Sequence, residues 1–425
     1  MKIERRPAAW ARLALLGAVL LAAVFIPARA TSQQAPHCVG LHCTAAGSVL
    51  WTSALPGSWI AQSGVLGTVT EPDAAYAADG GGVAVVGSGT EVSGFAASTG
   101  KAMWHVSLGG LQPGSVIVSV RAFSGVIAVG VQPTAGQGGS ARDEVILAAA
   151  SGRQIRTYQA APYGGAVRAD AATTVVVGNS AVTAYANATG RVQWQRALGA
   201  DGATWRTSGQ YIYVTDPTGG TGVTAVRQIS LVTGSERIVR AKSGAFAGAL
   251  TEVVDSPLVT GPAATVLLFS GASGVSAYGL DGRLRWPKIA GVVELADVPQ
   301  GVVYVAEGAK LAGIDALSGA AVGSVAISVA ASLYWISDGV ALGLDENGLG
   351  EAWGYSLTAR RVAWTSVALP WPHFFADIYG LGGSASGGSD VALLAACALT
   401  GTATAAASAP PCKRPELAAV LIRSR

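Results

Sequence analysis

The sequence predicts an all-β fold in which four-stranded antiparallel blades repeat around a ring: an eight-bladed β-propeller, with seven blades as the alternative. Three observations predict it: a phrase that recurs about every 44 residues, short strand-forming runs before each recurrence, and Gly-punctuated hairpin turns between strands. Composition agrees. The 425 residues include 57 Gly, 50% are hydrophobic and only 12% are charged, which excludes a charged coiled coil and a disordered chain.

The phrase is a β-rich run, a small-residue turn ending in Gly, and a Trp four residues after that Gly. Its clearest copies are Gly100 with Trp104, Gly190 with Trp194 and Gly282 with Trp286, and a truncated copy, Gly47 with Trp51, lies near the N-terminus. Degenerate copies fall at Gly152, Gly234, Gly319 and Gly401; at Arg360 the Gly is missing although Trp364 keeps its place. Successive anchors are 37 to 53 residues apart. A two-helix repeat and a four-stranded blade both fit that period, and the local pattern decides.

The runs before each turn are short and β-branched: Val83 to Val86, Val126 to Val129, Val175 to Val177, Tyr211 to Val214, Val266 to Phe269 and Val302 to Val305. A second short run follows, as in Val182 to Tyr185 and Val275 to Tyr278, and then the turn. There the Gly supplies the positive φ that a tight hairpin needs. Ring closure protects the sheet edges, and the recurring Trp packs between adjacent blades as a structural group rather than a ligand contact. The lone strand at Trp51 implies that the N-terminal segment completes the last blade.

The phrase from Ala96 through Thr99, Gly100 and Lys101 to Trp104 resembles the tryptophan-docking repeat of quinoprotein propellers, the pyrroloquinoline quinone (PQQ)-like repeat family, over about residues 47 to 405. That resemblance implies either a quinone-dependent dehydrogenase or a non-catalytic relative, such as the propeller lipoprotein of the outer-membrane β-barrel assembly machinery. Many alcohol-oxidising members carry adjacent cysteines and Glu, Asn and Asp ligands for calcium or a lanthanide; no Cys-Cys pair exists here and no ligand set aligns.

The first 30 residues carry Lys2, Arg5, Arg6, Arg12 and Arg29 against Glu4, leaving the remainder of a chain of net charge +3 at −1. No basic stripe is left for nucleic acid. That segment reads as a signal peptide: a basic start, an apolar stretch from Leu13 to Ile26, and Ala28-Arg29-Ala30 as a cleavage site. The expected organisation is a signal at 1–30, a Cys-containing segment at 31–46 and a propeller at 47–425. The apolar stretches 316–337 and 391–412 read as strands rather than membrane spans, since each contains a Gly turn in phase with the repeat. Any membrane contact comes through an uncleaved N-terminal segment.

Cys38, Cys43, Cys397 and Cys412 read as two disulfides, with at least one expected to join the chain ends and lock the ring. His37 and His42 stand beside cysteines without zinc spacing, and His105 and His373 are isolated. Asp345 to Gly348 reads as a hairpin, and Asn187-Ala188-Thr189 is a glycosylation sequon placed on a repeat turn. The aromatic stretch Pro370 to Phe375 reads as packing at a blade entry, with a partner contact as the alternative. No catalytic residue, metal ligand or cofactor site emerges. The expectation is a monomeric, secreted or extracytoplasmic binding scaffold whose partner is a protein or envelope component. The alternative is a dehydrogenase using PQQ and calcium.

Overall fold

The computed structural model describes the chain from residue 45 to residue 421, apart from 56–74, 134–141, 199–203, 216–222, 346–351, 366–372, 381–390, 399–414 and several shorter stretches. The described residues form eight four-stranded sheets, every neighbouring pair antiparallel. In chain order sheet I comprises Ala75–Ala78, Val83–Ser88, Glu91–Ala96 and Ala102–Ser107; sheet II, Ser115–Phe123, Val126–Pro133, Arg142–Ala148 and Gln154–Ala160. Sheet III comprises Gly165–Ala169, Thr173–Val177, Ala181–Ala186 and Val192–Ala197; sheet IV, Thr204–Ser208, Tyr211–Thr215, Ala225–Ser230 and Glu236–Arg240. Sheet V comprises Ala249–Asp255, Thr265–Gly271, Gly274–Gly279 and Leu284–Ile289; sheet VI, Val292–Asp297, Val302–Glu307, Lys310–Asp315 and Ala321–Ala326. Sheet VII comprises Ala331–Ser337, Val340–Asp345, Ala352–Ser356 and Arg361–Thr365, and sheet VIII joins His373–Gly380, Val391–Ala398 and Pro415–Leu421 to Val49–Ala54.

First strands meet first strands between successive sheets except III and IV, which join through Val175, Val177, Ile212 and Val214, and the first strand of sheet I also touches that of sheet VIII, so the sheets close into a propeller with their first strands innermost. The second and third strands are the β-branched runs read from the sequence, and they are buried nearly throughout, as in Val126 to Val131 and Val145 to Leu147. Each interface from I–II to V–VI holds its own apolar cluster; Val85, Ile117 and Val129 serve the first, and Val254, Leu268 and Val303 the last. Each fully buried Val, Leu or Ile contributes about 1.5–3 kcal/mol. Outermost strands such as Val192–Ala197 alternate between exposed and half-buried, as expected of an edge facing solvent.

Sheet VIII closes the ring through the chain ends. Val49 pairs with Val420 and Ala54 with Glu416, while the Gly47 N–H donates to Leu421 O at 2.6 Å. Cys397 faces Phe374 and Pro415, so it lies at the end of the sheet away from Gly47. Cys38, Cys43 and Cys412 lie outside the described residues, as do the segment 1–30, Arg360, Trp371, Pro372 and Gly401. The stretches 316–337 and 391–412 contribute the strands Ala321–Ala326, Ala331–Ser337 and Val391–Ala398, and no helix among the described residues is long and apolar enough to cross a membrane.

Candidate functional site

The residues of the repeat phrase build a girdle between sheets. At the turn before each outermost strand Gly takes φ of 67–74° at positions 100, 152, 190, 234, 282 and 319, a region that L side chains rarely adopt. The same position is also sterically closed. A Cβ on Gly152 would stand 2.5 Å from the Trp104 ring, and one on Gly319 would stand 2.6 Å from that of Trp286. The Trp on one sheet thus lies flat on the Gly of the next, and its indole N–H donates to a carbonyl three residues before that Gly. The bonds are Trp51 to Ala97 O (2.8 Å), Trp104 to Ala149 O (2.7 Å) and Trp286 to Ala316 O (2.9 Å). Trp194 lies on Gly234, but its Nε1 is buried without a partner. Trp364 faces Gly354 in register.

In two copies that lack Trp, those at Gly152 and Gly234, an arginine makes the bond to the next sheet. Arg156, four residues after Gly152, lies over Gly190 and donates to Asn187 O at 3.1 Å; Arg237 donates to Leu280 O at 3.0 Å. The signal for Arg156 was present in its offset from Gly152. Asn187 is 2% exposed: its side-chain NH₂ donates to Asp170 O, and its Oδ1 accepts from Tyr158 and Thr174. The sequon is therefore closed to glycosylation in the folded chain, and Asn187 serves as a hub between sheets II and III.

A second set of polar groups lies on the innermost strands. Six of the eight carry a β-bulge, which takes one residue out of the ladder. One common height can be defined two residues in from the second-strand residue that faces the end of the third strand. There the first strands carry Ala77, Arg121, Arg168, Arg206, Glu252, Leu295, Trp335 and Tyr379 in sheets I to VIII. Three arginines thus occupy equivalent positions on consecutive sheets. Arg121 reaches across to Ala166 O (2.8 Å) beside the bulge of sheet III, and Arg206 to Thr251 O (2.6 Å) within the bulge of sheet V. No repeated phrase marks these arginines, because the bulges shift their sequence offsets.

Beneath Arg121 lies a buried ion pair. Arg142 (5% exposed) donates to Glu144 (0% exposed) and to Ser119 Oγ, both at 3.1 Å, while Arg142 Nε and Glu144 Oε1 have no partner. Gly165, at φ 134°, brings the next sheet against this group, and any Cβ there would collide with Arg142 Nη2. Burial pushes the Arg121 guanidinium below its ordinary value; Glu144 opposes that shift and Arg142 adds to it. Burial likewise raises the Glu252 carboxyl, against its bond from the Val253 N–H and the charge of Arg206.

Two further constellations escaped sequence reading. Ser93 Oγ lies 2.9 Å from His105 Nδ1, and His105 Nε2 lies 2.9 Å from Glu91 Oε2. The order Ser, His, Glu is that of a hydrolytic relay, but Ser93 is only 4% exposed and lies inside the sheet, paired with Val86 on one side and His105 on the other, with a bulge following between Gly94 and Phe95. It is a cross-strand polar row, His105 facing Ser93 directly. Between sheets IV and V, Asp255 accepts from Ser208 (2.7 Å) and Thr265 (2.6 Å), and burial together with Asp255 raises the Tyr213 hydroxyl. No group of three or more His, Cys, Asp or Glu suited to a metal occurs among the described residues.

No protein-family model matches the chain, and no curated protein does. Among solved structures it is similar to BamB from Moraxella catarrhalis, at 16% identity and a TM-score of 0.40, with 71% of this chain and 97% of that one covered. It is also similar to Hsv2 from Kluyveromyces lactis (10%, TM-score 0.45, 73% and 97% covered) and to a quinohemoprotein alcohol dehydrogenase from Comamonas testosteroni (11%, 0.35, 81% and 66%). The fold itself stands on the strand pairing: an all-β propeller whose docking repeat resembles that of the PQQ-like propellers.

Proposed function

We propose that the chain is an exported, non-catalytic propeller that acts as a binding scaffold in the cell envelope or outside the cell. One observation supports the reading above others: the groups that could carry chemistry are engaged in holding sheets together. Arg121, Arg156, Arg206 and Arg237 brace backbone carbonyls of the next sheet, and Ser93, His105 and Glu91 bond one another on a single sheet. Export rests on the basic start, apolar run and Ala28-Arg29-Ala30 of the N-terminus. The partner is a protein or envelope component.

Titrating the purified protein with PQQ and calcium while following Trp fluorescence tests the non-catalytic part. The expected result is no saturable quenching; saturable quenching would replace the scaffold with the dehydrogenase alternative. N-terminal sequencing of protein recovered outside the cytoplasm tests export, with Thr31 as the expected first residue.

A further inference from the structure

We infer that the arginine arc on the innermost strands, Arg121, Arg168 and Arg206, is where the scaffold receives its partner, and that the partner presents an extended acidic peptide segment. The inference rests on the scaffold reading and names the chemistry of what is bound.

The arc is a local concentration of charge in a nearly neutral body: beyond residue 30 the net charge is −1, yet three consecutive sheets place a guanidinium at one height on the ring-lining strands. Arg121 and Arg206 are held in position, each by one bond to the next sheet's backbone, so little side-chain freedom is lost on binding. Arg206 is exposed and Arg168 partly so: the Arg168 side chain is 34% exposed and its contact with Asp170 is long at 3.8 Å, while its Nη1 is buried without a partner. The exposed edge of a planar guanidinium matches a carboxylate in fork geometry.

The neighbours decide what kind of anion fits. Asp170 beside Arg168, and Glu252 at the same height in sheet V, interleave acid with base, which repels a dense polyphosphate but suits spaced carboxylates. In an extended strand alternate side chains share one face, so a peptide with Glu at every second position presents its carboxylates in a spaced row.

The test uses fluorescence anisotropy of the whole protein with a fluorescein-labelled octapeptide of alternating Glu and Leu; the Gln–Leu analogue and tripolyphosphate are the comparisons. Saturable binding of the Glu peptide is expected, weakening as salt rises, with none to the Gln peptide. Arg168→Gln and Arg206→Gln should each weaken it about tenfold, the scale of one charge-assisted hydrogen bond. Arg283→Gln, on an outermost-strand turn, should leave it unchanged. Arg206 also braces Thr251 O, so far-UV circular dichroism accompanies each variant; Arg168 makes no such bond to the next sheet, and its variant decides if Arg206→Gln unfolds. The inference is overturned if the wild type does not bind the Glu peptide, if Arg168→Gln binds equally well, or if tripolyphosphate displaces the label at lower concentration than unlabelled Glu peptide. In-cell cross-linking separates this from the parent reading: a partner captured equally by wild type and the Arg168→Gln, Arg206→Gln double variant overturns the arc and keeps the scaffold. Absence of any cross-linked partner removes the scaffold itself.

Discussion

Replacing Trp286 by Phe should destabilise the propeller more than the same change at Trp194, although both occupy the same place in the repeat. Trp286 is 3% exposed and its Nε1 donates to Ala316 O at 2.9 Å, so Phe leaves that carbonyl unpaired in a dry interface, at about 1–3 kcal/mol. The smaller ring also leaves a void above Gly319, adding about 1 kcal/mol. At Trp194 only the packing loss applies, because its Nε1 has no partner, and removing that unpaired donor offsets part of the loss. The expected difference between the variants is therefore about 1–3 kcal/mol. Urea unfolding followed by far-UV circular dichroism reads it as a lower midpoint for Trp286→Phe at an unchanged slope. Equal midpoints would mean that stacking on the turn Gly, not the indole hydrogen bond, fixes one sheet to the next.

Gly152→Ala should cost several kcal/mol, since φ of 67° and the Trp104 ring both oppose a Cβ. Gly125→Ala, with φ of 74° and open space, should cost only about 1 kcal/mol; thermal melting that ranked them equally would refute the steric part. Burial raises the Glu252 carboxyl in the folded state, so the folded chain holds the proton longer than the unfolded one. Wild-type stability then falls as pH rises from the ordinary carboxylate range through the raised value, and Glu252→Gln removes that fall; parallel stability curves for the two proteins would refute it. Peptide mapping without reduction should link Cys397 to Cys412. Cys397 faces Pro415, three residues after Cys412, whereas Gly47 lies beside Leu421 about 20 Å along the strand. Recovery of a link from Cys38 or Cys43 to either C-terminal cysteine would refute this pairing and give the end-joining bridge expected from the sequence.

By itself the sequence determined the repeat, the strands and the turn glycines. These are local: a β-branched run of about five residues and a Gly at positive φ are set by near neighbours in the chain. It also marked the positions of Trp51, Trp104, Trp194 and Trp286, because equal offsets from equal turns place side chains alike. Only the tertiary structure decided that Arg156 and Arg237 stand in for tryptophan, that Trp194 lacks the bond its counterparts make, and that Asn187 is a buried hub. The arginine arc was likewise hidden. Arg121, Arg168 and Arg206 share no phrase and no constant spacing, and they come to one height only after bulges and hairpin lengths have set the register of each sheet. Register depends on pairing between strands, and the relation of one sheet to the next depends on ring closure, so neither is written in any single stretch of sequence.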